Sequence, residues 1–254
     1  MRLALARRAL IPLLMALGAT AVVSVAAGQS SDRRDFCSRL SKRNCATLVL
    51  GAQKVRSATS FGLNVHLESA KQPLAIAVVF PEGSAYPRRG AACSPEQAPD
   101  CPKEARLGGG LAWWHIENPD ISFDCDAANE TAVRVFNASS VRGYVVRMRF
   151  LPGCVICPVG LCTALLDSRF RQNELTITLP DFEKEWEQQV PDLPPVQATM
   201  SHFSLSARGK TKAGVPLLRT PRVCNRERGW KSVVKVLFDD GSTMRFKGRH
   251  PCHR

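Results

Sequence analysis

The chain has 254 residues, 44% of them hydrophobic and 22% charged, with 35 Lys and Arg against 22 Asp and Glu. That balance excludes disordered, collagen-like and coiled-coil chains and leaves a globular protein long enough to bury a sizeable core. The unusual features are ten cysteines and a formal charge of +13, which together with the first thirty residues point to a location outside the cytoplasm.

Residues 1–27 predict a secretory signal. Arg2, Arg7 and Arg8 form a basic start, Ala9 to Ala21 is apolar or small, and Val25-Ala26-Ala27 supplies small residues for cleavage before Gly28. An uncleaved anchor helix is the alternative, because Ala9 to Ala27 nearly reaches bilayer length. The expected organisation is a signal over 1–27, a cysteine-containing segment over 28–45 and one domain over 46–254.

Beyond that point short runs with strand character follow one another: Thr47–Leu50, Ser60–Leu67, Leu74–Phe80, Leu111–Ile116, Ala132–Phe136, Tyr144–Phe150, Leu175–Leu179, Met200–Ala207, Val233–Phe238 and Thr243–Lys247. Separated by Gly, Pro, Asn and Asp clusters, they predict an all-β fold, an antiparallel β-sandwich of Ig-like or jelly-roll-like type. A helical turn is expected only over Asp181–Gln189, capped by Asp181 and ended by Pro191. In the last hairpin a three-residue turn, Asp240-Gly241-Ser242, would set Phe238 opposite Met244 and Val236 opposite Phe246. Lys235 would then face Lys247 on the exposed side.

The cysteines are Cys37, Cys45, Cys93, Cys101, Cys125, Cys154, Cys157, Cys162, Cys224 and Cys252. Spacing suggests three local bridges, Cys37 with Cys45, Cys93 with Cys101, and Cys224 with Cys252 across the last hairpin. Cys154, Cys157 and Cys162, with Cys125, read as two further staples. A thiol-disulfide exchange centre at Cys154 and Cys157, or a metal site there, is the alternative. Neither a resident metal nor a cofactor is expected.

The positive charge is unevenly placed. Residues 28–207 carry 19 basic and 19 acidic side chains, whereas 208–254 carry 13 basic against Glu227, Asp239 and Asp240. Lys231, Lys235, Arg245, Lys247 and Arg249 are the candidate anion-binding residues, for an anionic cell-wall polymer or membrane headgroups. Nucleic acid is disfavoured because aromatic residues do not interleave with them.

Adjacent Trp113 and Trp114 must point to opposite faces of a strand. One covers a second layer or stacks on a sugar, the basis of a carbohydrate-binding alternative. The acidic run from Glu117 to Glu130 lacks the spacing of a calcium loop. Asp181, Glu183, Glu185 and Glu187 read as a solvated turn rather than a glycosidase pair. The five histidines are scattered, with His250 and His253 in a tail expected to fray. Asn129 and Asn137 match glycosylation sequons. No nucleophile turn of the G-x-S-x-G type is present, so no enzymatic activity is expected.

The stretch Cys93 to Cys101 followed by Pro102, Leu218-Arg219-Thr220-Pro221-Arg222-Val223-Cys224, Trp230, Phe238-Asp239-Asp240-Gly241-Ser242 and Pro251-Cys252 resembles a group of uncharacterised exported β-rich proteins of high-GC bacteria. The resemblance covers about residues 60–254. It implies one β domain with cysteine staples and says nothing about activity. The Cys154, Cys157, Cys162 cluster and the tryptophan pair depart from that pattern.

Overall fold

Alternation of apolar and polar residues along short segments builds two stacked antiparallel sheets. The computed structural model describes residues 44–69, 71–86, 91–93, 101–117, 130–137, 144–150, 163–166, 168–179, 181, 197–212, 214–224 and 229–254. Residues 31–254 form one compact unit. The expected signal over 1–27, the helical turn after Asp181, both carboxylate clusters in the main, and Cys37, Cys125, Cys154, Cys157 and Cys162 lie outside the described residues.

Twelve strands occur among the described residues: β1 (Cys45–Leu50), β2 (Phe61–His66), β3 (Pro73–Val79), β4 (Arg106–Glu117), β5 (Glu130–Asn137), β6 (Tyr144–Phe150), β7 (Thr163–Leu166), β8 (Ser168–Arg171), β9 (Glu174–Thr178), β10 (Gln197–Ala207), β11 (Trp230–Phe238) and β12 (Thr243–His250). One sheet runs β1-β2-β10-β4-β5-β6-β7 and the other β12-β11-β3-β9-β8. The expected all-β sandwich is therefore the observed architecture. β1 packs against β11 and β12, and β6 against β8, so the two sheets lie edge over edge.

The inner faces share one core. Leu63, Val65, Phe203 and Leu205 come from the seven-stranded sheet, and Ile76, Val78, Ile177, Val234 and Val236 from the five-stranded one. Each is 2% exposed or less, and burying a side chain of this size contributes about 1.5–3 kcal/mol.

Three features differ from expectation. β4 begins at Arg106, five residues earlier than the apolar run, and takes in Gly108, Gly109 and Gly110. Glycine is normally depleted in strands. Here it is required, because a Cβ on Gly108 would meet the carbonyl oxygen of Ser206, and one on Gly110 that of Ser204. Second, β7 and β8 were not expected as strands. One residue separates them, yet they belong to different sheets.

Third, the register of the last hairpin is shifted. Val236 faces Met244, Val234 faces Phe246, and Lys235 faces Arg245 rather than Lys247. The loop has the expected three residues but starts one earlier, at Asp239-Asp240-Gly241, closed by Phe238 N–H donating to the Ser242 carbonyl at 3.0 Å. Gly241 has φ 77°. A three-residue hairpin loop places its left-handed residue third, which puts the glycine at the end of the loop rather than in its middle. A shift that moves partners by two residues leaves every side chain on its expected face.

Two of the expected disulfides are present, Cys93–Cys101 with Cα atoms 5.3 Å apart and Cys224–Cys252 with Cα atoms 5.7 Å apart. Cys45 is also disulfide-bonded, to a cysteine outside the described residues. These bridges place the protein in an oxidising, non-cytoplasmic location. Among the described residues no helix is long and apolar enough to cross a membrane.

Candidate functional site

The period of two along β11 sends Trp230, Ser232, Val234, Val236 and Phe238 inward and Lys231, Val233, Lys235 and Leu237 outward. In β12 the outward set is Thr243, Arg245, Lys247 and Arg249. All five candidate anion-binding residues, Lys231, Lys235, Arg245, Lys247 and Arg249, thus share the outer face of the five-stranded sheet.

On β3, next to β11, that face becomes low and uncharged. β3 presents Ala75, Ala77 and Val79, each half-buried. β9 presents Glu174, Thr176 and Thr178, and the edge strand β8 presents the exposed Arg169 and Arg171. The ladders align these into rows. One reads Arg245, Lys235, Ala77, Thr176, Arg169, and the next Lys247, Val233, Val79, Glu174, Arg171. Across the strands of this face seven basic side chains stand against the single carboxylate of Glu174.

Lys235 resolves part of that imbalance internally. Its Nζ donates to Glu174 Oε2 at 2.8 Å, reaching over β3. The short side chains of Ala77 and Val79 leave room for that reach. Arg171, Arg245, Lys247, Arg249 and Lys231 make no ion pair among the described residues.

The hairpin end of the face is different in sign. Asp239 and Asp240 occupy the loop, and Asp240 is held by Lys71 Nζ and by the Ser242 backbone N–H. Hydrogen bonding to Lys71 and Ser242 pushes the Asp240 carboxyl well below the ordinary carboxylate range.

Arg169 and Arg171 were missed in the sequence. The available signal was the alternation Ser168-Arg169-Phe170-Arg171, with Ser168 and Phe170 buried; nothing local says which strand β8 joins.

The tryptophan pair separates as the strand period requires. Trp114 is 3% exposed in the core, which removes it as a stacking residue: a ring packed between sheets offers no face to a ligand. Trp113 lies on the outer face of the seven-stranded sheet, where the edge of one ring meets the other in a T-shaped contact with His202 at 4.5 Å. His202 is paired across the ladder with His66, their ring centroids 6.4 Å apart, and His66 Nε2 lies 3.9 Å from Glu68 Oε1. Three residues far apart in the chain are thus neighbours, against the scattered distribution expected for the histidines. Among the described residues no three His, Cys, Asp or Glu side chains are grouped to hold a metal ion.

Two further expectations are corrected. His250 does not sit in a frayed tail: it ends β12, is 4% exposed, and its Nε2 lies 2.7 Å from Ser232 Oγ. His253 is pinned to the Gln53–Val55 segment by two backbone hydrogen bonds. Asn137 is 2% exposed; its side chain accepts from Tyr86 Oη at 2.6 Å and donates to the Ala91 carbonyl at 3.0 Å. A carboxamide so engaged is a structural crosslink and not an accessible glycan acceptor.

A scan against protein-family models and searches of curated proteins and of solved structures give no match to this chain.

Proposed function

We propose that this protein is exported through the signal at 1–27 and serves as a non-catalytic binding or structural component of the cell envelope. Its working surface is the outer face of the five-stranded sheet. The observation that carries the reading is the gathering of Lys231, Lys235, Arg245, Lys247 and Arg249 on one face, joined there by Arg169 and Arg171. A field of one sign over a rigid sheet attracts an anionic polymer or headgroup layer and is weakened by salt. The disulfides support the location, since structural bridges form and persist in oxidising compartments and are rare in a reducing cytoplasm.

The test is retention of the purified protein on cell-wall material and on anionic vesicles as salt is raised. The wild type is expected to elute with salt. The variant Lys235→Glu, Arg245→Glu, Lys247→Glu is expected to be released at low salt. Retention that ignores both salt and the three substitutions overturns the reading.

A further inference from the structure

We infer that the outer face of the five-stranded sheet is a trough for a single extended chain of a linear phosphate polyester, lying along β3 and β9 between two cationic banks. This rests on the anion-binding reading and adds to it a shape, a direction and a ligand class.

The floor of the trough is made mostly of short side chains, Ala75, Ala77 and Val79 of β3 and Thr176 and Thr178 of β9, with Glu174 of β9 as its one carboxylate. One bank is the β11–β12 hairpin and the other is the edge strand β8 with Arg169 and Arg171. Three inter-strand steps, about 14 Å, separate β11 with Lys231 and Lys235 from β8, and a fourth, about 19 Å in all, reaches the β12 cations. Long flexible cations on both sides of a floor that narrow can close on one polymer chain.

Along each bank the cations recur at alternate residues, Arg245, Lys247 and Arg249 on one side and Arg169 and Arg171 on the other. Alternate residues of a strand lie about 6.8 Å apart, so a polymer carrying one phosphate per short repeat meets a cation at each. Lys235 brings a further ammonium over the floor, where it is shared with Glu174.

The same geometry disfavours a membrane. A flat lipid surface needs its apolar contacts to project, and here the apolar residues are the lowest part of the face. Leu237 is the exposed exception at 40%, but it lies at the loop end, beside Asp239 and Asp240. Anionic headgroups would be repelled there, whereas a polymer can stop short of that end. Nucleic acid is disfavoured because the outward residues of these five strands include no aromatic ring on which a base could stack.

Glycerophosphate diester is the chemistry that a wall polymer and a phosphatidylglycerol headgroup share, so both forms serve as probes. Binding of the full chain to soluble poly(glycerol phosphate), to phosphatidylglycerol vesicles and to monomeric glycerol 3-phosphate is measured by fluorescence anisotropy or co-sedimentation at fixed salt. The polymer is expected to bind tightest through its many linked phosphates. Arg169→Glu with Arg171→Glu should cost about tenfold or more in polymer affinity, as should Arg245→Glu with Lys247→Glu, since both remove phosphate contacts. Arg169→Lys with Arg171→Lys keeps the charge and should stay within about threefold of wild type, which separates loss of charge from loss of fold.

If the β8 double variant binds polymer like wild type while the hairpin variant does not, the trough is overturned and the anion-binding hairpin stands. If vesicles bind as tightly as polymer and polymer fails to displace them, the ligand class is overturned. If neither probe is bound, both readings fall.

Discussion

Lys235 and Glu174 belong to strands that are not neighbours, and the ammonium of one reaches the carboxylate of the other at 2.8 Å by passing over β3. Both side chains are about one-third exposed, so solvent screens the pair and its contribution to stability is about 1 kcal/mol or less. Its larger effect is on the face around it, because Glu174 is the one carboxylate on the floor of a basic surface.

Glu174→Gln is therefore expected to strengthen the binding of anions rather than weaken it. The substitution keeps the shape, removes a negative charge and releases Lys235 to a ligand. Affinity for poly(glycerol phosphate) should rise about three- to tenfold at low salt, and the gain should shrink as salt is added. Unfolding midpoints in urea should move by an amount worth about 1 kcal/mol or less. Unchanged or reduced affinity would show that the trough floor takes no part in binding.

Reduction of the bridges tests a different layer of the structure. Cys224–Cys252 closes a loop of 28 residues' separation and ties the end of β12 to the segment before β11. On the chain-entropy account Cys224→Ser with Cys252→Ser costs about 3.6 kcal/mol, and the shorter Cys93–Cys101 loop about 2.6. The first is expected to lower polymer affinity as well as stability, because Arg249 and Lys231 sit next to the released strand end. The second anchors a small satellite cluster of Cys93, Ala105 and Phe136 and should leave affinity near wild type. Urea titrations of the two double variants, alongside polymer binding, check both statements.

The close contact between β4 and β10 predicts intolerance at residues that look unremarkable in the sequence. Gly108→Ala and Gly110→Ala each drive a methyl group into a backbone carbonyl of the neighbouring strand. A carbonyl in a ladder cannot rotate away as a side chain would, so each should cost about 1–3 kcal/mol or more. Gly241→Ala is strained for another reason, its φ of 77°, but it meets nothing in space and should cost about 1 kcal/mol. A ranking by thermal unfolding in which Gly241→Ala is the worst of the three would contradict this account.

How much of this was legible in the sequence follows from which signals are local. Alternation is local, so Lys231, Lys235, Arg245, Lys247 and Arg249 are assignable to one face of a hairpin from the amino-acid sequence alone. The assignment survived a shifted register, since moving partners by two residues preserves faces. The partner rows could not be read. Arg171 reaches the same surface only because β8 pairs with β9, β9 with β3, and β3 with β11, and no short-range pattern encodes that order. His66 and His202 became neighbours in the same way, through the non-local pairing of β2 with β10. β7 was hidden because Thr163-Ala164-Leu165-Leu166 shows no alternation, and β8 because no Gly or Pro, the usual mark of a break, separates Leu166 from Ser168, although the two strands belong to different sheets. The glycines of β4 misled for a physical reason: the property that makes glycine a poor strand former, its missing side chain, is the one that close strand approach requires.

At the hairpin tip, Asp240 accepts hydrogen bonds from Lys71 and from the Ser242 backbone, and its carboxyl is held below the ordinary value of 3.8. A lowered carboxylate pKa means that the folded state favours the ionised form. The stabilisation it gives is present at pH above the ordinary value and is lost as pH falls from there towards the lowered one. The carboxylate is exposed, so the effect on global stability is small and the decisive readout is the group itself. A side-chain carbon NMR titration should find Asp240 still ionised where ordinary aspartates have protonated. Lys71→Ala should move its midpoint upward, towards 3.8 but short of it, because the Ser242 hydrogen bonds remain. Lys71→Arg, which keeps the charge, should move it less. The loop should respond in parallel: the protection of the Ser242 amide hydrogen, its exchange taken relative to the intrinsic rate at each pH, is expected to fall as its carboxylate acceptor protonates, and in the Lys71→Ala variant that fall should set in at higher pH. An Asp240 midpoint unmoved by Lys71→Ala would show that Lys71 does not hold the carboxylate in solution.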